Sequence, residues 1–344
     1  MHEHGSHGRE FGGIVLKRVL VSRLSAPTKL KMRRLANRVL IVPNYVYDAR
    51  RFMSSSSAAR SADDRERLAA HITMDYHRIE KGMALPAPRA GFGQDVIERL
   101  LVHIPQYEAA YGADATTEVA RNALTEYQAF NRANGVVNTK LDAFLSGRPA
   151  TNGEGGTVEL TREQLFPFSD DQALSFVRSR RSVRQFTGET IPNEVIEEAV
   201  RLAQRAPSVC NRQAARVYVA NQRDRMDQAL KFQNGNRGFG DRLGAVFVIT
   251  ADMRAFTTLG ERNQAWVDGG IFAMSLAMSL HSLKLGACML NWSVPARHDK
   301  RARAALGIDD NQAIITMLGA GYPVEDVRIA ESPRRQLDSV LHWL

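Results

Sequence analysis

Residues 169–184 read SDDQALSFVRSRRSVR and combine a helix start with a cluster of positive charge. Ser169 is followed three residues later by Gln172, which makes a capping box, and two acids occupy the first turn, where the helix dipole favours them. We expect this helix to end near Arg180. Three guanidinium groups and a hydroxyl follow at Arg180, Arg181, Ser182 and Arg184. The cluster predicts a clamp for a phosphate or a pyrimidine carbonyl, with a solvated surface cluster as the alternative.

A second motif, APSVCNRQ at residues 206–213, stands about 20 residues further along the chain. Between the two motifs, Pro192 opens a helix, and Pro207 stops it. The small and amide side chains that follow suit the donor and acceptor edge of a planar heterocycle. An ordinary loop rich in turn-forming residues is the alternative interpretation.

Short apolar runs predict four buried strands, at Val217–Ala220, Ala245–Thr250, Cys288–Trp292 and Ala313–Leu318. They alternate with helical patterns, which indicates a layered α/β or α+β domain. Residues 269–290 are almost uncharged, but serine and small residues dilute their hydrophobicity. This stretch therefore predicts a core or dimer-interface helix that leads into a strand, rather than a membrane span.

The order of these motifs resembles the nitroreductase family of flavin-dependent oxidoreductases. The later motifs in the series are Gly244-Ala245, Asp268-Gly269-Gly270, Leu285-Gly286-Ala287 and Leu318-Gly319-Ala320-Gly321-Tyr322-Pro323. The resemblance covers roughly residues 169–340 and does not extend to residues 1–160. It implies an α+β fold of three layers, in which helices flank a central mixed sheet, with an N-terminal helical extension added.

The resemblance also implies an FMN site shared between two subunits. In the family, the arginine motif contacts the phosphate, the ribityl chain or the pyrimidine edge, which corresponds here to Arg180, Arg181, Ser182 and Arg184. The Pro-Ser loop of the other subunit lies along the isoalloxazine, which corresponds to Pro207, Ser208, Val209 and Asn211.

Further family positions map onto the last third of the chain. Asn236 would face the flavin ring, and Trp292 and Ser293 would lie on the side of its N5 atom. Arg334 and Arg335 would meet the phosphate. The family chemistry needs no side-chain acid or base, so no catalytic side chain and no metal site are predicted.

The loop at residues 206–213, here called the flavin loop, and the residues directly after it depart from the family pattern. Gln213 precedes Ala214 and Ala215 rather than Pro-Trp, so the edge of the loop differs. Cys210 stands within the loop, where it is either a redox-active thiol or a packing residue. The chain after Arg335 is short for an arm that embraces a partner.

The function implied by the resemblance is a two-electron reduction by a ping-pong scheme. NAD(P)H would reduce FMN, and a small organic acceptor, such as a nitro compound or a quinone, would then take the electrons. Because each site is shared, we expect a homodimer with two FMN. The alternative is an FMN-binding protein without turnover, or a specialised flavin protein, that acts at a membrane surface.

Charge is distributed unevenly along the 344 residues, which carry 46 Lys and Arg against 37 Asp and Glu, a net charge of +9. Residues 1–60 hold the whole excess, so the remaining chain is balanced. A nucleic-acid binder is disfavoured, because the charge is confined to this segment and no aromatic-basic platform accompanies it. The two cysteines provide neither a disulfide framework nor a zinc site, which indicates a reducing compartment and hence the cytoplasm.

Three segments follow from these shifts in composition: a basic amphipathic arm at residues 1–60, a helical extension and linker at 61–157, and the FMN domain at 158–344. Residues 14–42 alternate apolar and basic side chains, so the arm either lies peripherally on an anionic membrane or packs on the rest of the protein. The Gly-rich run of residues 151–157 marks the boundary before the FMN domain.

Within the extension we expect helices at Asp63–His71, Gln94–Glu108 and Thr117–Asn131. The run MDYHRIEKG at residues 74–82 places several ionisable side chains together before a Pro- and Gly-rich segment. It resembles a rigid loop that lines an acceptor pocket over the flavin, with Tyr76, His77 and Arg78 as substrate-binding candidates. A salt-bridged helix end on the surface is the alternative.

Overall fold

A computed structural model describes residues 25–147 and 153–344, and the chain divides into two units, Met1–Arg50 and Arg51–Leu344. Residues 1–24 of the predicted arm lie outside the described residues. The same holds for residues 151 and 152 of the predicted linker.

The described part of the first unit belongs to one helix, α1, at Ala26–Ser55. This helix continues through Pro43, a residue that commonly breaks or kinks a helix. The Asn44 side chain donates a hydrogen bond to the carbonyl of Leu40, 2.7 Å away, within the turn where proline removes a backbone donor. Leu35 and Val39 on this helix are exposed.

Four helices form the extension: α2 at Arg65–Met83, α3 at Gln94–Tyr111, α4 at Ala115–Ala133 and α5 at Thr139–Ser146. They enclose a hydrophobic core of their own, in which Ile79, Ile97, Leu100 and Tyr127 are fully buried. The predicted helices are confirmed, and α2 is longer than expected, because it includes the run of residues 74–82. That run is therefore a helix end rather than a loop.

The described end of the linker is bound to the extension. The Asn122 side chain donates to the carbonyl of Glu154 at 2.8 Å, and the Gly156 N–H donates to the Glu80 carboxylate at 3.1 Å. Gly155 has φ +119°, and a Cβ there would lie 2.5 Å from the carbonyl oxygen of Val119. Only glycine fits this position without a shift of the backbone.

The C-terminal domain contains six helices and four strands among the described residues. Its helices are α6 at Arg162–Leu165, α7 at Asp170–Ser179, α8 at Asn193–Ala203, α9 at Arg223–Leu230, α10 at Gln264–Ser282 and α11 at Ala296–Leu306. Its strands are β1 at Ala215–Ala220, β2 at Ala245–Asp252, β3 at Gly286–Asn291 and β4 at Gln312–Gly321. The capping box at the start of α7 and all four predicted strands are confirmed.

The strands form one antiparallel sheet in the order β1-β2-β4-β3. The mixed sheet that the resemblance implied is therefore wrong for the four strands, and the parallel bridge from Ser182 to Ala287 on β3 is isolated and lies outside them. Alternate residues of β2 face opposite layers: Phe247 packs with α8 and α10, whereas Val248 packs with α9 and the end of α11. The domain is thus the three-layer α+β fold that the sequence predicted.

Helix α10 confirms the prediction of a nearly uncharged helix that leads into a strand. One of its sides is buried against β2 and β4. Its other side exposes Trp266, Val267, Ile271 and Met274. In the part of the chain that the structure describes, no helix combines the length and the hydropathy needed to cross a membrane.

Candidate functional site

The arginine motif lines a cavity of about 290 Å³ beside the start of β3. Helix α7 ends at Ser179, and Arg180 leaves it with extended backbone angles, φ −61° and ψ 125°. Arg180 and Arg181 enter the lining of the cavity, together with Lys284 from the turn between α10 and β3. None of the described residues that line this cavity is acidic.

A histidine completes the polar part of this lining. His281 Nε2 lies 2.8 Å from the Ser179 hydroxyl, and burial, assisted by the charge of Arg180, lowers the pKa of His281. The imidazole is therefore neutral at neutral pH, and the positive charge comes from Arg180, Arg181 and Lys284. Cationic donors without a competing carboxylate fit a phosphate group.

The remaining residues of the motif connect the cavity to the sheet. Ser182 forms the bridge to Ala287, and the Val183 N–H donates to the carbonyl of Ala287 at 3.1 Å. Arg184 is exposed. Burial raises the pKa of the Cys288 thiol on β3, and the charge of Arg184 partly offsets that rise.

The flavin loop, defined here as residues 206–213, has an unusual backbone. Cys210, Asn211 and Gln213 have φ values of +47°, +53° and +48°, in the left-handed region. A residue with a Cβ pays about 1–2 kcal/mol for this conformation, although asparagine tolerates it better than most. Such a loop persists only where its surroundings hold it in place.

Contacts from the C-terminal domain supply that support. The Val209 N–H donates to both carboxylate oxygens of Asp268, at 3.2 and 3.3 Å. The buried Arg212 guanidinium donates to the carbonyl of Ala255 at 2.8 Å and forms an ion pair with Glu261. Inside the loop, the Gln213 N–H donates to the Ser208 hydroxyl at 2.9 Å.

A larger cavity, of about 570 Å³, lies between the flavin loop and the helical extension. Pro207 and Ser208 line it on the loop side. On the extension side, the Arg65 guanidinium donates to the Tyr107 hydroxyl at 2.9 Å and to the Asp114 carboxylate at 2.8 Å. The Tyr107 hydroxyl also donates to Asp114, at 2.6 Å. The charges in this cavity are thus largely matched in pairs.

The structure does not bring every predicted flavin residue to these cavities. Among described residues, the linings of the two cavities have no member in common, so the arginine motif and the flavin loop of one chain face different spaces. The exposed Arg334 and Arg335 line neither cavity, although Val327 and Ile329 of the same segment line the smaller one.

The side chains of two further predicted residues form hydrogen bonds with residues that are near them in the sequence. The Asn236 side chain donates to the carbonyls of Leu230 and Gln233, at 3.2 and 2.8 Å. The Trp292 indole donates to Asp299 at 2.8 Å. Ser293 is exposed. These three residues line neither of the two cavities.

The three substrate candidates lie on one helix but have different surroundings. His77 pairs with Glu80 at 3.0 Å, and Arg78 pairs with the buried Asp75 at 3.3 Å, both within α2. Tyr76 is buried, and burial raises the pKa of its hydroxyl to about 12. Helix α2, which carries all three residues, packs on Val209–Asn211 of the flavin loop.

Two residues at these sites were not among the predicted site residues. Lys284 completes the acid-free lining, and Asp268 anchors the flavin loop. The sequence did contain a signal for both residues. Asp268 directly precedes the long, almost uncharged stretch of residues 269–290, and Lys284 lies within it. A charge kept in such a stretch commonly has a specific partner.

The fold and the smaller cavity define a three-layer α+β domain with a positively charged cavity, free of acids among its described lining residues, at the edge of its sheet. Residues 177–234 and 221–322 match the family model described as Nitroreductase family. The C-terminal domain therefore belongs to the nitroreductase family, and the chain is an oxidoreductase.

Relatives cover about half of this chain. An NADH dehydrogenase of Thermus thermophilus is 27% identical over 216 residues, which cover 53% of this chain and 99% of the relative. Iodotyrosine deiodinase 1 of Mus musculus is 19% identical over 52% of this chain and 72% of its own. An FMN-dependent nitroreductase structure from Clostridium difficile has a TM-score of 0.41 and 20% identity, and covers 49% of this chain and 98% of its own.

Proposed function

We propose that the protein is an FMN-dependent oxidoreductase that uses NAD(P)H to reduce a small conjugated acceptor, such as a nitro compound or a quinone, in a ping-pong reaction. One observation carries the proposal: a cavity lined by Arg180, Arg181 and Lys284, and by no acidic residue among those described, in a domain of the nitroreductase family. Bound FMN supplies the two-electron redox chemistry.

The chain's own residues would bind and orient the cofactor. Arg180, Arg181 and Lys284 hold the phosphate by charge-assisted hydrogen bonds. The flavin loop lies along the ring through Pro207, Ser208, Val209 and Asn211. The contacts of Asp268 and Arg212 pre-organise this loop, so little ordering is needed when the ring binds.

The roles of the other predicted residues remain part of the proposal. Ser182 and Arg184 follow the phosphate-binding arginines, and the exposed Arg334 and Arg335 are available as further phosphate ligands. Because the side chains of Asn236 and Trp292 already have partners, their segments would meet the ring through backbone groups, as would Ser293.

We propose a homodimer in which each FMN lies between the arginine motif of one subunit and the flavin loop of the other. The separation of these two elements in one chain supports this arrangement. The exposed apolar side of α10, with Trp266, Val267, Ile271 and Met274, would form the interface. Such a surface is typical of a face that another protein covers.

The test is an absorbance spectrum of the purified full chain, followed by anaerobic titration with NADH and with NADPH. We expect a flavin spectrum that one or both nucleotides bleach, and a dimer by analytical ultracentrifugation. A protein that stays colourless after incubation with FMN would contradict the proposal.

A second candidate is a flavin protein of the cytoplasm that acts at a membrane surface without turnover. It is favoured by α1, whose exposed Leu35, Val39 and Val42 accompany the exposed basic residues Lys31 and Arg38. Co-sedimentation with vesicles of anionic lipid, together with stoichiometric FMN and no nucleotide oxidation, would favour this candidate. Binding to neutral vesicles, without binding to anionic ones, would contradict this candidate.

A further inference from the structure

The larger cavity lies between the helical extension and the C-terminal domain, and its volume of about 570 Å³ suits a small organic ligand. The extension supplies one wall, with Arg65, Thr73 and Tyr107 among its lining residues. The C-terminal domain supplies the other wall, from the flavin loop and the end of α8. Because α2 packs on the loop and on Met253–Ala255, both walls belong to one packed structure.

The cavity adjoins the part of the flavin loop that the proposed function places along the flavin ring. Pro207 and Ser208 are lining residues and also predicted ring contacts. The loop is held in place by Asp268, which accepts from the Val209 N–H, and by the buried Arg212. A ligand in this cavity would therefore lie beside the ring, against a wall that is ordered before the ligand binds.

The charges in the lining of this cavity are balanced. The described lining residues include three arginines and three carboxylates: Arg65, Arg212, Arg216, Glu66, Asp114 and Asp268. Arg65 pairs with Asp114 at 2.8 Å, and Arg216 pairs with Glu66 at 3.0 Å. An anionic ligand would have to compete with these carboxylates for the arginines, so the cavity favours an uncharged ligand.

Arg65 can form more hydrogen bonds than its present contacts use. Its Nε donates to the Tyr107 hydroxyl at 2.9 Å, and one terminal nitrogen donates to Asp114 at 2.8 Å. A guanidinium carries further N–H groups, and no other described residue accepts from Arg65. The side chain is 57% exposed. Tyr107 and Asp114 thus hold a donor at the cavity wall that has N–H groups left for the oxygen of a ligand.

Apolar side chains line much of the rest of the cavity, among them Val200, Val217 and Phe272. An apolar lining with a few fixed donors is typical of sites for small organic ligands. We propose that the larger cavity binds the electron acceptor, that this acceptor is an uncharged aromatic compound, and that Arg65 of the extension binds its carbonyl or nitro oxygen. This inference rests on the proposed function, because it takes the flavin ring to lie beside the flavin loop.

The first test compares Arg65→Met with Arg132→Met in the full chain loaded with FMN. Arg132 pairs with Asp142 at 3.0 Å within the extension, and the exposed fractions of these two side chains, 55% and 25%, are close to the 57% and 28% of Arg65 and Asp114. Arg132 is not among the described residues that line the cavity. The two variants therefore remove equivalent ion pairs, one at the cavity and one away from it.

The ligand for this test is 4-nitrobenzyl alcohol, titrated by isothermal calorimetry without nucleotide so that no turnover occurs. We expect Arg65→Met to raise its Kd about tenfold, because a charge-assisted hydrogen bond is lost. Arg132→Met should leave the Kd within about twofold. The wild-type chain should bind 4-nitrobenzoate, which carries an anionic carboxylate instead of the alcohol, about tenfold more weakly.

A second pair of variants tests the location of the ligand without removing a charge from the cavity. Gln204 directly follows α8, is exposed and lines the cavity, whereas the neighbouring exposed Arg205 is not among the described lining residues. We expect Gln204→Trp to fill part of the cavity and to raise the Kd about tenfold, and Arg205→Trp to leave it within about twofold.

Three results would overturn the inference. They are equal effects of the two variants within either pair, tighter binding of 4-nitrobenzoate than of 4-nitrobenzyl alcohol, and no measurable binding of 4-nitrobenzyl alcohol to the wild-type chain.

Anaerobic addition of NADH or NADPH to the same samples separates this inference from the proposed function. FMN that is reduced in a chain whose ligand binding does not depend on Arg65 would support the proposed function and overturn the inference. Ligand binding that depends on Arg65, in a chain whose FMN neither nucleotide reduces, would contradict the proposed reaction and leave the binding site in place. A wild-type chain that binds no FMN would overturn both.

Discussion

The smaller cavity beside β3 and the larger cavity beside the flavin loop use charge in different ways. The smaller one gathers Arg180, Arg181 and Lys284 with no acid among its described lining residues, so their charges are available to an anionic ligand. In the larger one, Arg65 pairs with Asp114, and Arg216 pairs with Glu66. Arginines alone therefore do not indicate a binding site. The balance of acids around them separates a site for an anion from a network that supports the fold.

We expect the largest effect, a loss of stability, from substituting a buried arginine of the larger cavity. The Arg212 side chain is fully buried and paired with Glu261, so Arg212→Met would leave a half-buried carboxylate without its partner. We expect a loss of about 3 kcal/mol in the free energy of unfolding, measured by urea denaturation. The matched control is Arg201→Met, which breaks an exposed Arg–Glu pair on α8 and should cost less than about 1 kcal/mol. Equal losses would contradict this account.

In the smaller cavity, the cost of losing an arginine should appear in ligand binding rather than in folding. We expect Arg180→Ala to weaken FMN binding about 100-fold, because a charge-assisted phosphate contact contributes roughly 3 kcal/mol. Fluorescence titration of the apoprotein with FMN measures this change. Arg225→Ala, which removes an exposed arginine of α9, is the control and should leave the affinity unchanged. A similar FMN affinity of both variants would exclude Arg180 from the phosphate site.

The sequence predicted the C-terminal fold well because its signals are local. The capping box at Ser169, the apolar runs of the strands and the uncharged α10 each depend on neighbouring residues, and the structure confirms them. The extension was less predictable. Residues 74–82 appeared to be a loop because their charges are dense, but His77 pairs with Glu80 one turn away and so fits a helix.

The site was predictable only in part, since its contacts join distant segments. Arg180 and Arg181 are neighbours in the sequence. Lys284 is about 100 residues further along, and only the turn before β3 brings it to the same cavity. The packing of α2 on the flavin loop joins segments that are far apart in the sequence, and no periodicity encodes it. The family position of Asn236 does not predict that its side chain donates hydrogen bonds to two backbone carbonyls.

The smallest expected effect concerns two carboxylates of the larger cavity, which should change the pH dependence of stability in different ways. Burial raises the pKa of Asp268 above its usual value of 3.8, despite hydrogen bonds from Gln264 and Val209. For Asp114, burial alone would raise the pKa, but the hydrogen bonds of Tyr107 and Arg65 hold it below 3.8. The native state therefore favours the protonated form of Asp268 and the ionised form of Asp114.

The two groups must then affect stability with opposite sign. The contribution of Asp268 is present below pH 3.8 and is lost as the pH rises through its folded pKa, whereas that of Asp114 is present above 3.8 and is lost as the pH falls. Relative to wild type, Asp268→Asn should lose less stability as the pH rises from 3 to about 6, and Asp114→Asn should lose less as the pH falls from 5 to about 3. Thermal melts across this range measure both slopes. If both variants changed the pH slope of stability with the same sign, the two carboxylates would share one environment. The larger cavity would then lack the paired network described above.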